Sequence, residues 1–259
     1  MAKQIFVIKM NGDKAPYDEN KLRNSMLRAG ASDEAINRVL KKAKEFVYNG
    51  IKTKKLFRFV FSELKKEKGV AGIRYNLKNA IIDLHIRGAG YTFEKFMKRV
   101  FDKKGYETEI NKTVNGKFIT HEIDILARNK NETLMIEAKH HTRPWLGVDI
   151  KIALYVYARF LEVKKHFTKP ELITNTKFSP QVINYSKGVG MNLMGWNYPR
   201  GDSLIENIEK YKIYPITILP MEKKKIEYYI RKGILTLDEL KNEKDLPNEL
   251  RKNINEILK

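Results

Sequence analysis

Cysteine is absent from this sequence of 259 residues. Its absence excludes disulfide bonds, cysteine-ligated zinc, thiyl-radical chemistry and catalysis by a cysteine nucleophile. Long apolar runs are also missing, because no stretch approaches the length that a membrane-spanning helix requires. Residues 1–13 turn polar too early for a signal peptide. We therefore expect a cytoplasmic protein that has no membrane partner.

Acidic residues are scarce beside basic ones: 31 Asp and Glu stand against 51 Lys and Arg, which gives a formal net charge of +20. A surplus of this size favours a polyanionic partner, since each neutralised phosphate releases counterions. A lysine-rich proteome that keeps its proteins solvated by charge would explain the same surplus. Hydrophobic residues still make up 42% of the chain, which is enough for the cores of two domains.

Residues 1–89 have the pattern of a compact α+β domain. Residues 4–10 predict a strand that a polar turn ends, and four helices are expected after it. The expected N-caps of the first three helices are Asp18, Ser32 and Thr53. The first helix is expected to turn Leu27 toward the core, and the fourth is expected at residues 73–86.

Residues 90–220 predict a second domain, whose elements follow the order α-β-β-β-α-β-α-β-α. This order implies a mixed sheet with helices on both faces, so the expected fold class is α/β. The dipeptide Asn115-Gly116 predicts a two-residue hairpin between the first two strands. A long helix is expected at residues 147–165. The residues expected on its buried face are Ile150, Ala153, Leu154, Tyr157 and Leu161. Residues 221–259 predict a small tail of three short helices.

Four side chains suited to hydrolytic chemistry lie in the second domain. Asp124 lies in an apolar strand, where an unpaired acid is costly. Glu137 and Lys139 lie two residues apart on the next strand, and they therefore point to the same face. This spacing places a metal-binding acid beside a cation able to orient water, as metal-dependent phosphodiester cleavage requires. Glu94 lies upstream on an amphipathic helix.

A family resemblance rests on the order of these motifs: a helix with Glu94, a hairpin with Asp124 and a strand with Glu137-x-Lys139. This order resembles the PD-(D/E)xK nuclease superfamily and, more narrowly, its Mrr-type restriction-endonuclease branch. The resemblance covers roughly residues 90–220. The stretches that carry it are residues 93–106, 121–127, 136–141 and 184–199.

The resemblance implies a metal site and a set of catalytic residues. Asp124 and Glu137 would bind Mg²⁺, with Mn²⁺ as a substitute, and the backbone carbonyl of Ala138 would be a third ligand. Lys139 would orient the attacking water or stabilise the charge that grows on the phosphate. Glu94 would reach the same cluster through water or a second ion. The expected catalytic set is therefore Glu94, Asp124, Glu137 and Lys139.

Plainer interpretations of these residues stay open at this point. Glu94 has the position of a solvated helix residue, and Glu137 with Lys139 would make an ordinary charge pair on an edge strand. A zinc site built from Glu137 and nearby histidines is a further alternative, although the spacing matches no known site. The histidines concerned are His121, His140 and His141.

Residues 5–86 resemble a second family, the ATP-cone nucleotide-binding module. The residues that carry this resemblance are 7–12, Tyr17, Lys21-Leu22, Ser25, Ala29 and 71–75. It implies that Lys9 and Lys21 hold phosphates of ATP or dATP and that Val7 and Ile8 flank the base. Asn11 and Gly12 form the turn whose backbone amides approach the phosphates. The family has a second basic residue after Lys9, where this chain has Met10. A degenerate cone kept for dimerisation or DNA contact is the alternative.

Together these patterns predict a Mg²⁺-dependent endonuclease that acts on double-stranded DNA and is regulated by ATP or dATP as an effector. The resemblance also implies a homo-oligomer with a role in defence against foreign DNA. A non-catalytic, nucleotide-responsive DNA-binding protein is the alternative from another functional class. The absence of cysteine separates the chain from ribonucleotide reductases, whose radical chemistry needs thiols.

Overall fold

The computed structural model describes residues 4–85 and 91–259, and its architecture confirms the predicted α/β fold class. Contacts divide the chain into two compact units. The first contains the described residues up to Asn79, together with Ile218–Pro220 and Glu243–Lys259. The second contains Ala80–Thr217 and Met221–Asn242. The domain boundaries expected from the sequence, after residues 89 and 220, stay a prediction.

The amino-terminal part of the first unit is a small sheet covered by helices. Its elements are β1 (Phe6–Ile8), β2 (Lys14–Pro16), α1 (Glu19–Arg28), α2 (Asp33–Phe46), β3 (Ile51–Lys52), α3 (Thr53–Lys66) and α4 (Ala71–Tyr75). The short helix α5 (Leu77–Ile82) follows, and its residues from Ala80 onward belong to the second unit. The strand order is β2-β1-β3, with β1 antiparallel to β2 and parallel to β3. A cluster of buried side chains that includes Met26, Ile36, Val60 and Leu64 forms its core.

Two helix starts in this unit lie where their capping residues predict them. The Asp18 carboxylate accepts hydrogen bonds from the backbone N–H groups of Asn20 and Lys21, at 2.9 and 3.3 Å. The Ser32 hydroxyl accepts one from the N–H of Ala35 at 3.2 Å. These bonds satisfy N–H groups that the first turn of a helix leaves without a partner. Thr53 is instead the first residue of α3, and Lys52 occupies the cap position.

Two details of the predicted helices in this unit were wrong. Leu27 is 45% exposed, because the buried stripe of α1 runs through Leu22 and Met26. The fourth helix is not continuous: α4 ends at Tyr75 and α5 begins at Leu77, with Asn76 as the cap between them. The side chain of Asn79 donates a hydrogen bond to that of Asn76 at 2.8 Å. The predicted residue 86 lies outside the described residues.

The second unit contains a five-stranded mixed sheet in the order β10-β8-β6-β5-β4. The elements of this unit are α6 (Thr92–Lys103), β4 (Glu107–Asn115), β5 (Thr120–Arg128), β6 (Thr133–Lys139), β7 (Gly147–Val148), α7 (Ile150–Val163), β8 (Lys169–Thr174), β9 (Lys177–Phe178), α8 (Pro180–Val189), β10 (Asn192–Met194) and α9 (Leu204–Tyr211). Strands β4, β5 and β6 are antiparallel, and β6, β8 and β10 are parallel. The central strand β6 occupies the predicted residues.

The turn between β4 and β5 is longer than the predicted two residues. Residues 116–119 form it, and the Gly116 N–H donates a hydrogen bond to the Ile119 carbonyl at 2.8 Å. The N–H groups of Lys117 and Phe118 both donate to Glu162 of α7, at 2.9 Å each. The N–H groups of this turn therefore bond to α7, whereas in a two-residue turn the same stretch would form backbone hydrogen bonds between β4 and β5.

The buried face of α7 also differs from the predicted one. Leu154 and Leu161 are about half exposed. The buried residues of this helix are Ala153, Val156, Arg159, Phe160 and Val163. The helix begins at Ile150 behind an Asp149 cap, since residues 147 and 148 pair with β9 as a short strand. A later start does not change which residues of a helix share a face. The difference from the predicted buried face therefore comes from how α7 packs against the sheet.

Three further helices follow, as the sequence predicts: α10 (Lys223–Arg231), α11 (Leu237–Leu240) and α12 (Asn248–Leu258). A 3₁₀ turn at Ile216–Ile218 precedes them. Helices α10 and α11 belong to the second unit, and α12 belongs to the first. In the first unit the Arg74 guanidinium donates a hydrogen bond to the Ile257 carbonyl of α12 at 2.5 Å.

Candidate active site

The centre of the mixed sheet brings Asp124 and the Glu137-x-Lys139 motif onto neighbouring strands. Strands β5 and β6 pair antiparallel with Ile125 opposite Ile136, so Asp124 and Glu137 follow at the next position. The backbone N–H of Ala138 donates a hydrogen bond to Asp124 Oδ2 at 2.8 Å. This bond holds one carboxylate oxygen against the strand that carries the second acid.

Glu137 is buried and ion-paired. Its side chain lies beside the Lys139 ammonium, with 2.5 Å between Nζ and Oε1, which confirms that the two side chains share a face. The other carboxylate oxygen accepts a hydrogen bond from Arg159 Nη1. Because β6 is the middle strand of five, the pair is not an ordinary surface pair on an edge strand.

Arg159 is the residue that sequence reasoning missed. It lies on the buried face of α7, where its side chain is 10% exposed, and its Nη2 group also donates to the Glu122 carbonyl. The Tyr155 ring lies 5.3 Å from the guanidinium carbon. The sequence does contain a sign of this role. Arg159 lies within the apolar stripe of a predicted helix, and a charge buried there requires a partner of opposite charge.

Burial and neighbouring charges raise the pKa values of both Asp124 and Glu94. For Asp124 the net result is a pKa of about 6: burial raises it most, the charges of Glu137 and Glu94 also raise it, and the Ala138 N–H bond and Lys139 lower it. Burial likewise raises the pKa of Glu94, which lies in the first turn of α6, and Glu137 again contributes. Carboxylates that raise one another's pKa values gain stability when a cation joins them.

The donor set fits a hard divalent cation. Mg²⁺ keeps several water ligands and needs only one or two carboxylates from the protein, which Asp124 and Glu137 supply. No three His, Asp or Glu side chains among residues 4–85 and 91–259 lie close enough together to form a ready-made metal cage. The candidate acids Glu94, Asp124 and Glu137 are among the side chains that this statement covers, so the three do not form such a cage. A Mg²⁺ ion here would therefore rely on the two carboxylates of Asp124 and Glu137 and on water.

One of the three histidines of the zinc alternative has a ring hydrogen bond. His140 Nε2 lies 2.9 Å from the Ile81 carbonyl, and burial lowers the pKa of this imidazole. His121 Nε2 lies 3.8 Å from a Glu162 oxygen, which is too far for a hydrogen bond. The backbone N–H of His141 donates to the Asn175 side chain at 2.8 Å, but its ring Nε2, like that of His121, is buried without a hydrogen-bond partner among the described residues.

The residues expected to hold a nucleotide lie on β1, the following turn and α1. Val7 is buried in the small sheet and Ile8 is half-buried, whereas Lys9, Asn11, Gly12 and Lys21 are exposed. The positive φ of Gly12, 92°, explains why glycine occupies that turn.

The hydrogen bonds of this turn limit which groups could meet a phosphate. The Lys9 N–H donates to the Asp13 carbonyl at 2.8 Å, and the Gly12 N–H donates to the Lys9 carbonyl at 3.0 Å. Those two amides are therefore occupied within the turn. Lys21 Nζ lies 3.7 Å from an Asp18 oxygen and is largely exposed. The lysine side chains, rather than the two amides, are the groups able to meet a phosphate.

Comparison with known families accounts for both parts of the chain. Residues 5–77 match the family model described as an ATP cone domain, and residues 87–197 match the one described as a restriction endonuclease, the Mrr catalytic family. A mixed sheet that presents Asp and Glu-x-Lys on adjacent strands is the restriction-endonuclease-like class of fold. The chain belongs to the family in which an ATP cone domain precedes an Mrr-type restriction endonuclease domain.

Two curated relatives match different lengths of the chain. An uncharacterised protein of Archaeoglobus fulgidus is 41% identical over 140 residues, which are 54% of this chain and 80% of the relative. The transcriptional repressor NrdR of Thermotoga neapolitana is 34% identical over 79 residues, which are 27% of this chain and about half, 51%, of the repressor.

A solved structure agrees with these matches. The crystal structure of a protein of unknown function, AF1548, is 33% identical and superposes with a TM-score of 0.56, over 65% of this chain and 97% of that one.

No helix in the described parts of the present chain has the length and apolar character needed to cross a membrane.

Proposed function

We propose that this protein is a Mg²⁺-dependent endonuclease that cleaves double-stranded DNA and is regulated by ATP or dATP. One observation carries the proposal: Asp124 and Glu137 meet on adjacent central strands, and the Lys139 ammonium lies 2.5 Å from Glu137. The match to a restriction endonuclease family supports the reaction class. The net charge of +20 supports a polyanionic substrate.

Each residue has a role that its position supports. Asp124, Glu137 and the Ala138 carbonyl would hold Mg²⁺ or Mn²⁺. When bound, such an ion lowers the pKa of a water ligand and polarises the scissile phosphate. The Lys139 ammonium, 35% exposed, would orient water and offset negative charge on the phosphate. Glu94 would add a further carboxylate from α6.

Plasmid cleavage tests the hydrolytic part of the proposal. Supercoiled DNA is incubated with the full chain in Mg²⁺, Mn²⁺ or EDTA, with and without ATP. We expect metal-dependent nicking that Asp124→Asn and Lys139→Ala each reduce at least a hundredfold. Glu107→Gln, which removes an exposed carboxylate from β4, is the matched control and should cleave like wild type. Absence of cleavage in every condition would refute the proposal.

Regulation by a nucleotide requires unequal binding to active and inactive states. The match to the ATP cone family supports the nucleotide class. We expect calorimetry to show ATP or dATP binding that Lys9→Ala and Lys21→Ala weaken, and Lys54→Ala, an exposed lysine of α3, to leave it unchanged. Equal affinities for wild type, Lys9→Ala and Lys21→Ala would remove both lysines from the site.

A non-catalytic DNA-binding protein is the second candidate, and one observation favours it. Both oxygens of Glu137 are already occupied, one by Lys139 and the other by Arg159. A carboxylate saturated by two cations has less affinity for a metal ion. Gel-shift assays with duplex DNA distinguish the candidates, because binding without cleavage in Mg²⁺ and Mn²⁺ would support the second one.

Further proposals concern the role, location, assembly and domain bounds of the protein, and the defensive role rests on family resemblance. We propose that the protein acts in defence against foreign DNA, in the cytoplasm and as a homo-oligomer. The domains would be residues 1–89, 90–220 and 221–259. Sedimentation of the purified chain tests the oligomer, since a monomer at every concentration would exclude it. Transformation efficiency of unmodified plasmid into cells that express the protein tests the defensive role.

A further inference from the structure

A cavity whose lining includes none of the candidate catalytic residues lies in the mixed-sheet unit. It measures about 310 Å³, which is within the size range of small-molecule sites. The end of α6, strand β8, helix α8 and the segment around β10 surround it. Lys104 lines it, ten residues beyond Glu94, so about 15 Å of helix separates the two regions.

The deepest charged group of this cavity is Glu171 on β8. Its residue is 5% exposed, and burial raises the pKa of its carboxyl to about 7. Asn192 supplies a side-chain hydrogen bond to it. The neighbouring Lys104 ammonium is bonded to Asp202 instead, at 2.8 and 2.9 Å to its two oxygens. Glu171 therefore lacks an ion-pair partner of its own among the described residues.

Ser186 provides a second, independent sign that a ligand belongs here. Its residue is 1% exposed and lines the cavity, and its hydroxyl has no hydrogen-bond partner among the described residues. A buried hydroxyl without a partner is destabilising, because it has lost its bonds to water and gained none. A molecule that occupied the cavity would be able to satisfy it.

The charges of the lining select the kind of ligand. The acids that line the cavity are Glu132, Glu171 and Asp202, and the cations are Lys104 and Lys187. With Glu171 ionised, which requires a pH above about 7, this lining is net acidic in a chain of net charge +20, so at such a pH it repels the anions that the rest of the surface attracts.

A metal ion is a poorer match than an organic cation. No three acidic or histidine side chains in the part of the chain that the structure describes converge closely enough for one ion. Glu132 accepts a hydrogen bond from the Tyr106 hydroxyl at 2.5 Å, and Asp202 is paired with Lys104. Polar atoms make up most of the exposed lining, and a smaller apolar part would contact a small hydrocarbon body. That part is supplied by Phe101, Ile183, Met191, Leu193 and Pro199.

We propose that this cavity binds a small organic cation whose amidinium or ammonium head meets Glu171 and whose apolar body packs against Phe101 and Met191. A planar amidinium can present two parallel N–H donors to one carboxylate. The head would also lie near the Ser186 hydroxyl, which has a lone pair to accept from it. The proposal is independent of the hydrolytic function, because it involves none of the four candidate catalytic residues.

Three probes of equal shape and different charge test the proposal on the full chain. Benzamidinium carries a positive head, benzamide is neutral and benzoate is negative. Binding is measured by saturation-transfer NMR and by titration of ¹⁵N-labelled protein. We expect benzamidinium to bind at least tenfold more tightly than benzamide, and benzoate not to bind. Equal affinity for benzamidinium and benzoate would overturn the proposal.

Variants locate the site. Glu171→Gln should weaken benzamidinium at least tenfold, and Glu107→Gln, an exposed carboxylate on β4, should leave it unchanged. Glu132→Gln is a second variant at a less buried carboxylate, and it should weaken binding less than Glu171→Gln does. If Glu171→Gln fails to fold, the wild-type titration decides. Shifts at the amides of Glu171 and Ser186 support the site, and their absence at saturating probe overturns it.

Discussion

Replacement of Asp124 by asparagine is expected to stabilise the protein while it removes cleavage. Burial and the charge of Glu137 raise the pKa of this carboxyl from 3.8 to about 6. The folded state therefore disfavours the ionised form of Asp124, and a neutral amide of similar shape escapes that cost. The amide oxygen is still able to accept the hydrogen bond that Ala138 N–H donates to the carboxylate at 2.8 Å.

The size of the effect follows from the pKa. A rise from 3.8 to about 6 corresponds to about 3 kcal/mol of free energy at a pH where the carboxyl is ionised in both states. Asp124 is partly exposed, and solvent and the local relaxation reduce this value. We expect Asp124→Asn to raise the free energy of unfolding by about 1–3 kcal/mol at about pH 8.

The pH dependence has a definite sign. Because the folded-state pKa is raised, the stabilisation from a protonated Asp124 is complete below the unfolded pKa of 3.8. It is lost as the pH rises through about 6. Wild type and Asp124→Asn should therefore converge in stability toward about pH 4, diverge between about pH 4 and about pH 6, and differ by a constant amount above about pH 6.

Urea unfolding in EDTA measures this difference, with Glu107→Gln as the control for loss of an exposed carboxylate. Added Mg²⁺ should then stabilise wild type and not Asp124→Asn, because only wild type keeps the carboxylate ligand. A variant that is less stable than wild type at about pH 8, or a difference that does not change with pH, would refute the electrostatic reasoning.

Three other perturbations have expected outcomes. Arg159→Met should lower the free energy of unfolding by about 3–5 kcal/mol, since it leaves Glu137 buried beside Lys139 alone. Adding Glu137→Leu should recover part of that loss, and a double-mutant cycle with no coupling would contradict the pairing. Glu171→Gln should be more stable than wild type above about pH 7 and equal to it near pH 4, because burial raises the pKa of Glu171 to about 7. Denaturant midpoints at several pH values measure this difference in stability. Ser32→Ala should lose about 1 kcal/mol by chemical denaturation, because α2 loses its capping hydrogen bond, and an unchanged midpoint would show that water replaces the cap.

Local patterns in the sequence were sufficient for much of the fold. Strand β6 lies at the predicted residues 133–139, and the caps at Asp18 and Ser32 mark helix starts as expected. Alternation along a strand, caps and the Glu-x-Lys spacing are properties of neighbouring residues. They do not depend on where the rest of the chain lies.

Features that depend on packing between elements were decided only by the tertiary structure. The buried face of α7, and with it the partnership of Arg159 with Glu137, depends on how that helix lies against the sheet. The burial of Glu171 depends on elements far apart in sequence that surround one cavity. By itself the sequence determined the α/β class and the Asp and Glu-x-Lys motifs, because short-range periodicity and spacing encode them, and its motifs carried the resemblance to the two domain families. The pairing of Glu137 with Arg159 and the cavity around Glu171 were decided by long-range packing, which no local spacing records.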